Sequence, residues 1–327
     1  MDTAVSYLGL KLKNPIVVGS STFTGTVDGI KRCAEAGAGA VVLKSIFEEQ
    51  ILADIKKEEG YTDLYMSNPD ADVYMKTFLR GNEISIYEKL IREAKETVDI
   101  PIIASINCTD KGEWISFAKE FENAGADALE LNIAVSPFNR EITSKDIEDE
   151  VVAIFSEVKK NVRIPVSVKL GNHFTNIGNL AFRLSMAGAA GLVLFNRYYN
   201  PTIDIETMKV VPGTALSVEE ENSGTLRWIK ILSSDGIPCE LSASTGVHTS
   251  EDVVRQLLAG AATVQVCSTL YKNGVGYISE LVNGLEAWMK KHNFNSIDEF
   301  KGKCSAPEDI KIFERLQYLR RNNELNL

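Results

Sequence analysis

Four times along the chain an Ala-Gly-Ala triplet runs straight into an apolar strand. Ala36-Gly37-Ala38 leads into Ala40-Val41-Val42-Leu43-Lys44, and Ala124-Gly125-Ala126 into Ala128-Leu129-Glu130-Leu131-Asn132. Ala187-Gly188-Ala189 leads into Leu192-Val193-Leu194-Phe195-Asn196, and Ala259-Gly260-Ala261 into Val264-Gln265-Val266-Cys267-Ser268. A glycine at that point suits a left-handed helix cap, and small neighbours let helix and strand pack closely. Strands of a second kind lie between the repeats, opened by Pro15, Pro101, Pro165 and Pro238, where no ladder donor is needed. The two kinds alternate strictly. Helical stretches separate them at about 27–35, 86–97, 111–123, 144–162, 176–186, 225–233, 250–258 and 276–291. Eight strands alternating with eight helices, each strand too apolar to face water, predict a (β/α)8 barrel. A doubly wound open sheet is the alternative; the even period and the lack of a Gly-x-Gly-x-x-Gly after the first strand weigh against it.

At 327 residues, 44% hydrophobic and 24% charged, the chain suits one barrel domain with a large core, spanning 1–327. Its net charge of −10 argues against a nucleic-acid partner, which needs a basic surface. No apolar run is long enough to span a bilayer, and no leader is recognisable, so the expectation is a cytoplasmic protein with no membrane partner. The 5 cysteines and 3 histidines are scattered, so no metal site is expected.

Two connections are too long for turns. One is an acidic, tyrosine-containing stretch at 45–85; the other, 198–222, holds a candidate strand pair near Ile203–Val211. Both follow strands, so both should lie over the catalytic face of a barrel as lid, substrate loop or insertion.

The strand ends are small or polar: Gly19-Ser20-Ser21, Lys44-Ser45, Ser105-Ile106-Asn107, Glu130-Leu131-Asn132, Lys169, Asn196-Arg197, Ser244-Thr245-Gly246 and Cys267-Ser268. In a barrel these converge on one mouth. The last two ends precede helices, where backbone N–H groups and the helix dipole receive an anion, so they favour a phosphate. Lys169 ends the run Ile-Pro-Val-Ser-Val-Lys-Leu-Gly and shares a strand face with Ser167. Two chemistries use a lysine there: a Schiff-base nucleophile with a depressed pKa, or a fixed cation that stabilises charge on a cofactor ring. Lys44, Asn132 and Asn196 suit hydrogen bonding to a planar heterocycle.

Asn14-Pro15, Gly19-Ser20-Ser21, Lys44-Ser45, Glu130-Leu131-Asn132, Val168-Lys169-Leu170, Asn196, Ser244-Thr245-Gly246 and Ser296-Ile297 fall in an order that resembles the class 1 dihydroorotate dehydrogenases over nearly the whole chain. The resemblance implies a barrel with FMN at its mouth, a homodimer, and a soluble acceptor such as fumarate. It implies that Gly19, Ser20, Ser45 and Asn107 line the flavin and that Lys44, Asn132, Asn139 and Asn196 serve cofactor or substrate. It implies Lys169 beside the pyrimidine edge, with the phosphate on Ser244, Thr245, Gly246, Cys267 and Ser268.

The sequence also departs from that family. Where the family has Asn-x-x-Cys-Pro-Asn, with cysteine as the base, this chain reads Asn132-Ile133-Ala134-Val135-Ser136-Pro137-Phe138-Asn139. Ser136 becomes the candidate base, and a hydroxyl in that role needs a partner or a water relay. The family's Asn-x-Met-Gly-Leu-x-Asn motif is not recognisable in 45–85, and Arg197 replaces a serine. That arginine either clamps a substrate carboxylate bidentately or pairs with the acidic 45–85 loop above it. The leading expectation is an FMN-dependent oxidoreductase acting on dihydroorotate or a related dihydropyrimidine. A flavin-binding barrel with a different or lost activity, a Lys169 lyase, and a tRNA dihydrouridine synthase are the competitors, the last disfavoured by charge.

Overall fold

The computed structural model describes residues 1–47, 84–107, 111–133, 139–198 and 200–305. The chain opens on an antiparallel hairpin of β1 (Val5–Tyr7) and β2 (Leu10–Leu12). There follow β3 (Ile16–Val18), α1 (Val27–Glu35), β4 (Ala40–Val42), the short β5 (Ile46–Phe47), α2 (84–97) and β6 (Ile102–Asn107). Next come α3 (Lys111–Ala124), β7 (Ala128–Asn132), α4 (Ser144–Asn161), β8 (Val166–Leu170), α5 (Ile177–Met186) and β9 (Gly191–Leu194). An antiparallel pair, β10 (Pro201–Asp204) and β11 (Lys209–Pro212), leads to α6 (Asn222–Ser234), β12 (Glu240–Ser244), α7 (Ser250–Ala259) and β13 (Thr263–Val266). The short α8 (Ser268–Asn273) and α9 (Tyr277–Lys291) complete the series.

Strands β3, β4, β6, β7, β8, β9, β12 and β13 pair in that order, all parallel, and β13 returns to β3. The expected (β/α)8 barrel is therefore closed, with β5 extending the β6 side through Ile46 opposite Ile106. The four Ala-Gly-Ala signals do the work the sequence assigns them. Their glycines, Gly37, Gly125, Gly188 and Gly260, all have positive φ, between +97° and +111°. At Gly260 the demand is also steric, since a Cβ would lie 2.0 Å from the Ser233 hydroxyl. Apolar strands meet helices through side chains such as Trp114, Phe117 and Phe121 on α3 and Phe155 on α4, all essentially inaccessible. At about 1.5–3 kcal/mol per buried large side chain, this layer supplies most of the stabilisation.

The N-terminal hairpin covers the start of the strands. Tyr7 and Leu8 pack where a Cβ on Gly191, the first residue of β9, would strike them. The Leu8 N–H donates to the Glu240 carboxylate at the start of β12. With that end covered, the strand C-termini form the open mouth. The strand pair expected inside 198–222 is present as β10–β11, with Ile203 opposite Val210. Most of the 45–85 stretch, Ser136 and the last part of the C-terminal tail lie outside the described residues.

Candidate active site at the barrel mouth

Side chains alternate along β8, so Ser167 and Lys169 point one way and Val166 and Val168 the other. The contacts show which way is inward. Lys169 Nζ donates to Gln265 Oε1 of β13 at 3.1 Å, and Gln265 Nε2 donates to Glu130 Oε2 of β7 at 2.6 Å. β7 and β13 stand on opposite sides of the ring, so these bonds cross the barrel interior. Glu130 Oε1 lies 3.7 Å from Lys169 Nζ, and the two side chains are 1% and 13% exposed. A carboxylate this deep demands a counter-ion and hydrogen bonds, and both are supplied. Burial, then the Glu130 charge, push the Tyr7 phenol beneath it well above its ordinary pKa.

Lys169 and Gln265 form part of one pocket with Gly19, Ser20, Asn196 and Arg197, closed on the far side by 244–247, Cys267 and Ser268. Among the described residues, two cations and no carboxylate line it, in a chain of net charge −10. Burial pushes the Cys267 thiol up, against the opposing influence of Lys169.

The far wall is a tightly constrained turn. Thr245 has φ +84° and Gly246 φ +79°. For a β-branched residue this costs about 1–3 kcal/mol and persists only where surroundings enforce it. Here Thr245 Oγ1 donates to the Phe195 carbonyl at 3.0 Å, and Thr225 Oγ1 donates to the Ser244 carbonyl at 2.9 Å. A Cβ on Gly246 would sit 2.1 Å from the Asn222 nitrogen at the start of α6. The turn and α8, whose first N–H groups have no intrahelical acceptor, are joined by Ser217. Its N–H donates to Ser268 Oγ at 2.9 Å, its hydroxyl meets His248 Nε2 at 3.2 Å and the Gly246 N–H at 3.4 Å, and its carbonyl accepts from Lys272 at 2.9 Å. His248 is buried, and burial followed by the Lys272 charge lowers its pKa below 6.5.

The opposite side of the mouth carries a hydroxyl chain. Ser45 Oγ lies 2.7 Å from Ser105 Oγ and 3.0 Å from Ser20 Oγ, which also accepts the Ser45 N–H at 2.8 Å. Asn196 Nδ2 donates to Asn132 Oδ1 at 2.9 Å, joining two strand ends that the sequence assigns to one heterocycle. Asn107 ends β6, half-buried. Lys44 is exposed, its stem lying over Gly25, and it does not line the Lys169 pocket. Asn139 is exposed as well, its Oδ1 accepting the Glu141 N–H at 3.0 Å in a local turn.

Arg197 does pair with an acidic residue, but with Glu221 of the 198–222 insertion; the acidic 45–85 stretch expected to hold it lies mostly outside the described residues. The arginine Nε donates to both oxygens of Glu221 at 2.9 and 3.2 Å, Nη1 to the carbonyls of Thr214 and Ala215 at 2.8 and 3.2 Å, and Nη2 to Thr214 Oγ1 at 3.4 Å. Sequence reasoning passed over Glu130 as a site residue, Gln265 and Ser217. The first two carried a signal, a charge and an amide set in the middle of apolar strands. Ser217 carried none.

Four similarities accompany this geometry. A family profile described as dihydroorotate dehydrogenase matches residues 3–289. The chain is 29% identical over 320 residues to the "Dihydroorotate dehydrogenase B (NAD(+)), catalytic subunit" of Thermoplasma volcanium, covering 92% of this chain and 98% of the relative. It is 30% identical to the protein of the same description from Methanosarcina mazei, covering 90% and 92%, and 27% identical to the "Putative dihydroorotate dehydrogenase A (fumarate)" of Aeropyrum pernix, covering 92% and 97%.

Proposed function

The chain belongs to the dihydroorotate dehydrogenase family, and from that premise we propose that it is an FMN-dependent oxidoreductase that oxidises dihydroorotate at a CH–CH bond. The observation that carries the reading is the pocket itself: Lys169 and Arg197 on its wall, no carboxylate among the described residues that line it, and the start of α8 opening onto it. This donor set fits an anionic mononucleotide. In this reading Ser268, Cys267 and the 244–246 turn hold its phosphate, and Gly19, Ser20 and Ser45 lie along its ring. Bound FMN supplies a two-electron acceptor that takes a hydride from the substrate.

The residues of the chain do the rest. Lys169 is held as a fixed cation at the floor of the pocket, suited to stabilising negative charge on a reduced ring. The same contacts count against a Schiff-base lyase, because an amine held by a carboxylate and an amide oxygen is a poor nucleophile. Asn132 and Asn196, already joined, offer a paired amide edge to a planar substrate. Ser136 is the proposed base for the proton lost with the hydride.

The visible spectrum of the purified protein, followed by anaerobic titration with dihydroorotate, tests the proposal. Flavin bands that bleach on titration are the expected result. A colourless protein that cannot be loaded with FMN would remove the cofactor, and bands that never bleach would remove the substrate.

A further inference from the structure

Glu130 and Gln265 belong to no step described so far, yet both are almost wholly buried. Glu130 is 1% exposed and Gln265 3%. Both stand mid-strand between apolar neighbours, Leu129 and Leu131 on β7 and Val264 and Val266 on β13, where a leucine would fill the space at lower cost. Their geometry is directional. Gln265 spends its donor on Glu130 at 2.6 Å and its acceptor on Lys169 at 3.1 Å, so the amide orientation is fixed at both ends. Glu130 keeps one oxygen, Oε1, without a hydrogen bond, facing the ammonium at 3.7 Å. The amine therefore meets a hydrogen bond from one side and a carboxylate oxygen from below. Its remaining donors are left for the pocket.

We propose that Glu130 and Gln265 are positioning residues that clamp the Lys169 ammonium at the pocket floor, and that the Glu130 carboxylate partly offsets the positive charge Lys169 presents to a bound flavin. The clamp acts on geometry through Gln265 and on field through Glu130. At a few ångströms in a poorly screened interior, one charge strongly affects another, so an anion beneath the amine lowers the electron affinity of any ring above it. The barrel thereby sets how readily its acceptor is reduced, independently of the groups that touch substrate. This inference rests on the flavin reading for its second half only. The clamp itself is a property of the polypeptide.

The test uses two variants and two readouts. In flavin-loaded protein, Glu130→Gln removes the offsetting charge while keeping the shape. The reduced-to-oxidised ratio of the flavin at a fixed potential, measured by anaerobic titration against a reference dye, should rise about tenfold, which is about 30 mV for a two-electron couple. Gln265→Leu keeps the carboxylate but frees the amine, and the same ratio should fall. A merely structural pair would change melting temperature and leave the potential in place, so unchanged potentials in both variants would overturn the field half.

The second readout needs no cofactor. In flavin-free protein, Lys169 acylation by an activated ester is followed by peptide mass spectrometry at one fixed pH. Gln265→Leu should speed it at least tenfold; equal rates in wild type and variant would overturn the clamp, even if Glu130→Gln failed to fold. A chain that never accepts FMN would refute the proposed function, while this second measurement would still decide the clamp.

Discussion

Lys169 and Arg197 stand at the ends of neighbouring strands and line the same pocket, but they are held from opposite directions. Lys169 is gripped from below, by Gln265 and Glu130 inside the barrel, and keeps donors for the mouth. Arg197 is gripped from above, by Glu221 and the Thr214–Ala215 backbone of the insertion, and all three of its nitrogens are spent. The difference is chemical as well as positional. A compact ammonium on a flexible stem can be fixed by two contacts, whereas a planar guanidinium saturates a carboxylate and two carbonyls at once. In the proposed reading Lys169 serves the reaction, whereas Arg197 ties the insertion to the end of β9.

The sharpest way to break this contrast is Lys169→Met. Turnover of dihydroorotate should fall about 10²–10³-fold, the usual cost of removing one preorganised stabilising charge. Melting temperature should fall too, because Glu130 is left buried and unpaired, at about 3–5 kcal/mol. Adding Glu130→Gln should then restore the melting temperature and leave turnover low. Recovery of both would mean Lys169 is a structural partner only.

Gly246→Ala comes next in size. With φ +79° and the Asn222 nitrogen 2.1 Å from the added carbon, it should cost about 2–3 kcal/mol in denaturant unfolding and weaken retention of a phosphate-bearing ligand. Arg197→Ala should be milder. About a tenfold weaker apparent affinity for FMN is expected, with chemistry on the bound complex unchanged. Glu221→Gln should reproduce the effect, and a double-mutant cycle should show the two coupled by about 1 kcal/mol. Additive losses would separate the arginine from the insertion.

The smallest effect is a pH dependence at His248. Its folded pKa is lowered by burial and by Lys272, with Glu219, Ser217 and Asp252 acting the other way. The unfolded chain therefore binds the proton more readily, and stability rises with pH across this range. The contribution should be complete above about pH 6.5 and be lost progressively as pH falls through the folded pKa. His248→Gln should flatten that part of a melting-temperature profile between about pH 5 and 7. An unchanged profile would exclude the histidine as its source.

Much of the site was legible as a set of strand ends, and the reason is periodicity. Once eight strands run parallel, their C-termini must meet, so Gly19, Ser20, Lys169, Asn196 and Thr245 could be gathered before any coordinates. Partnership was not legible. Asn132 and Asn196 lie 64 positions apart and join only because β7 and β9 flank β8. Asn139 was grouped with them by motif, yet it spends its side-chain oxygen on a local turn. Ser217 sits in a stretch with no periodic pattern and becomes the bridge between the 244–246 turn and α8 only when the insertion folds back.

The sequence by itself determined the barrel, through left-handed glycine caps set before apolar strands and prolines at the openings of the others, because these are local constraints repeated around a closed ring. It also placed Lys169 at the barrel mouth, near the axis, on the strand face it shares with Ser167. Only the tertiary structure decided that Gln265 and Glu130 meet the amine across the interior. It likewise decided that Arg197 turns up to Glu221. Those choices depend on groups tens of residues apart competing for the same few hydrogen bonds in a space from which water is excluded.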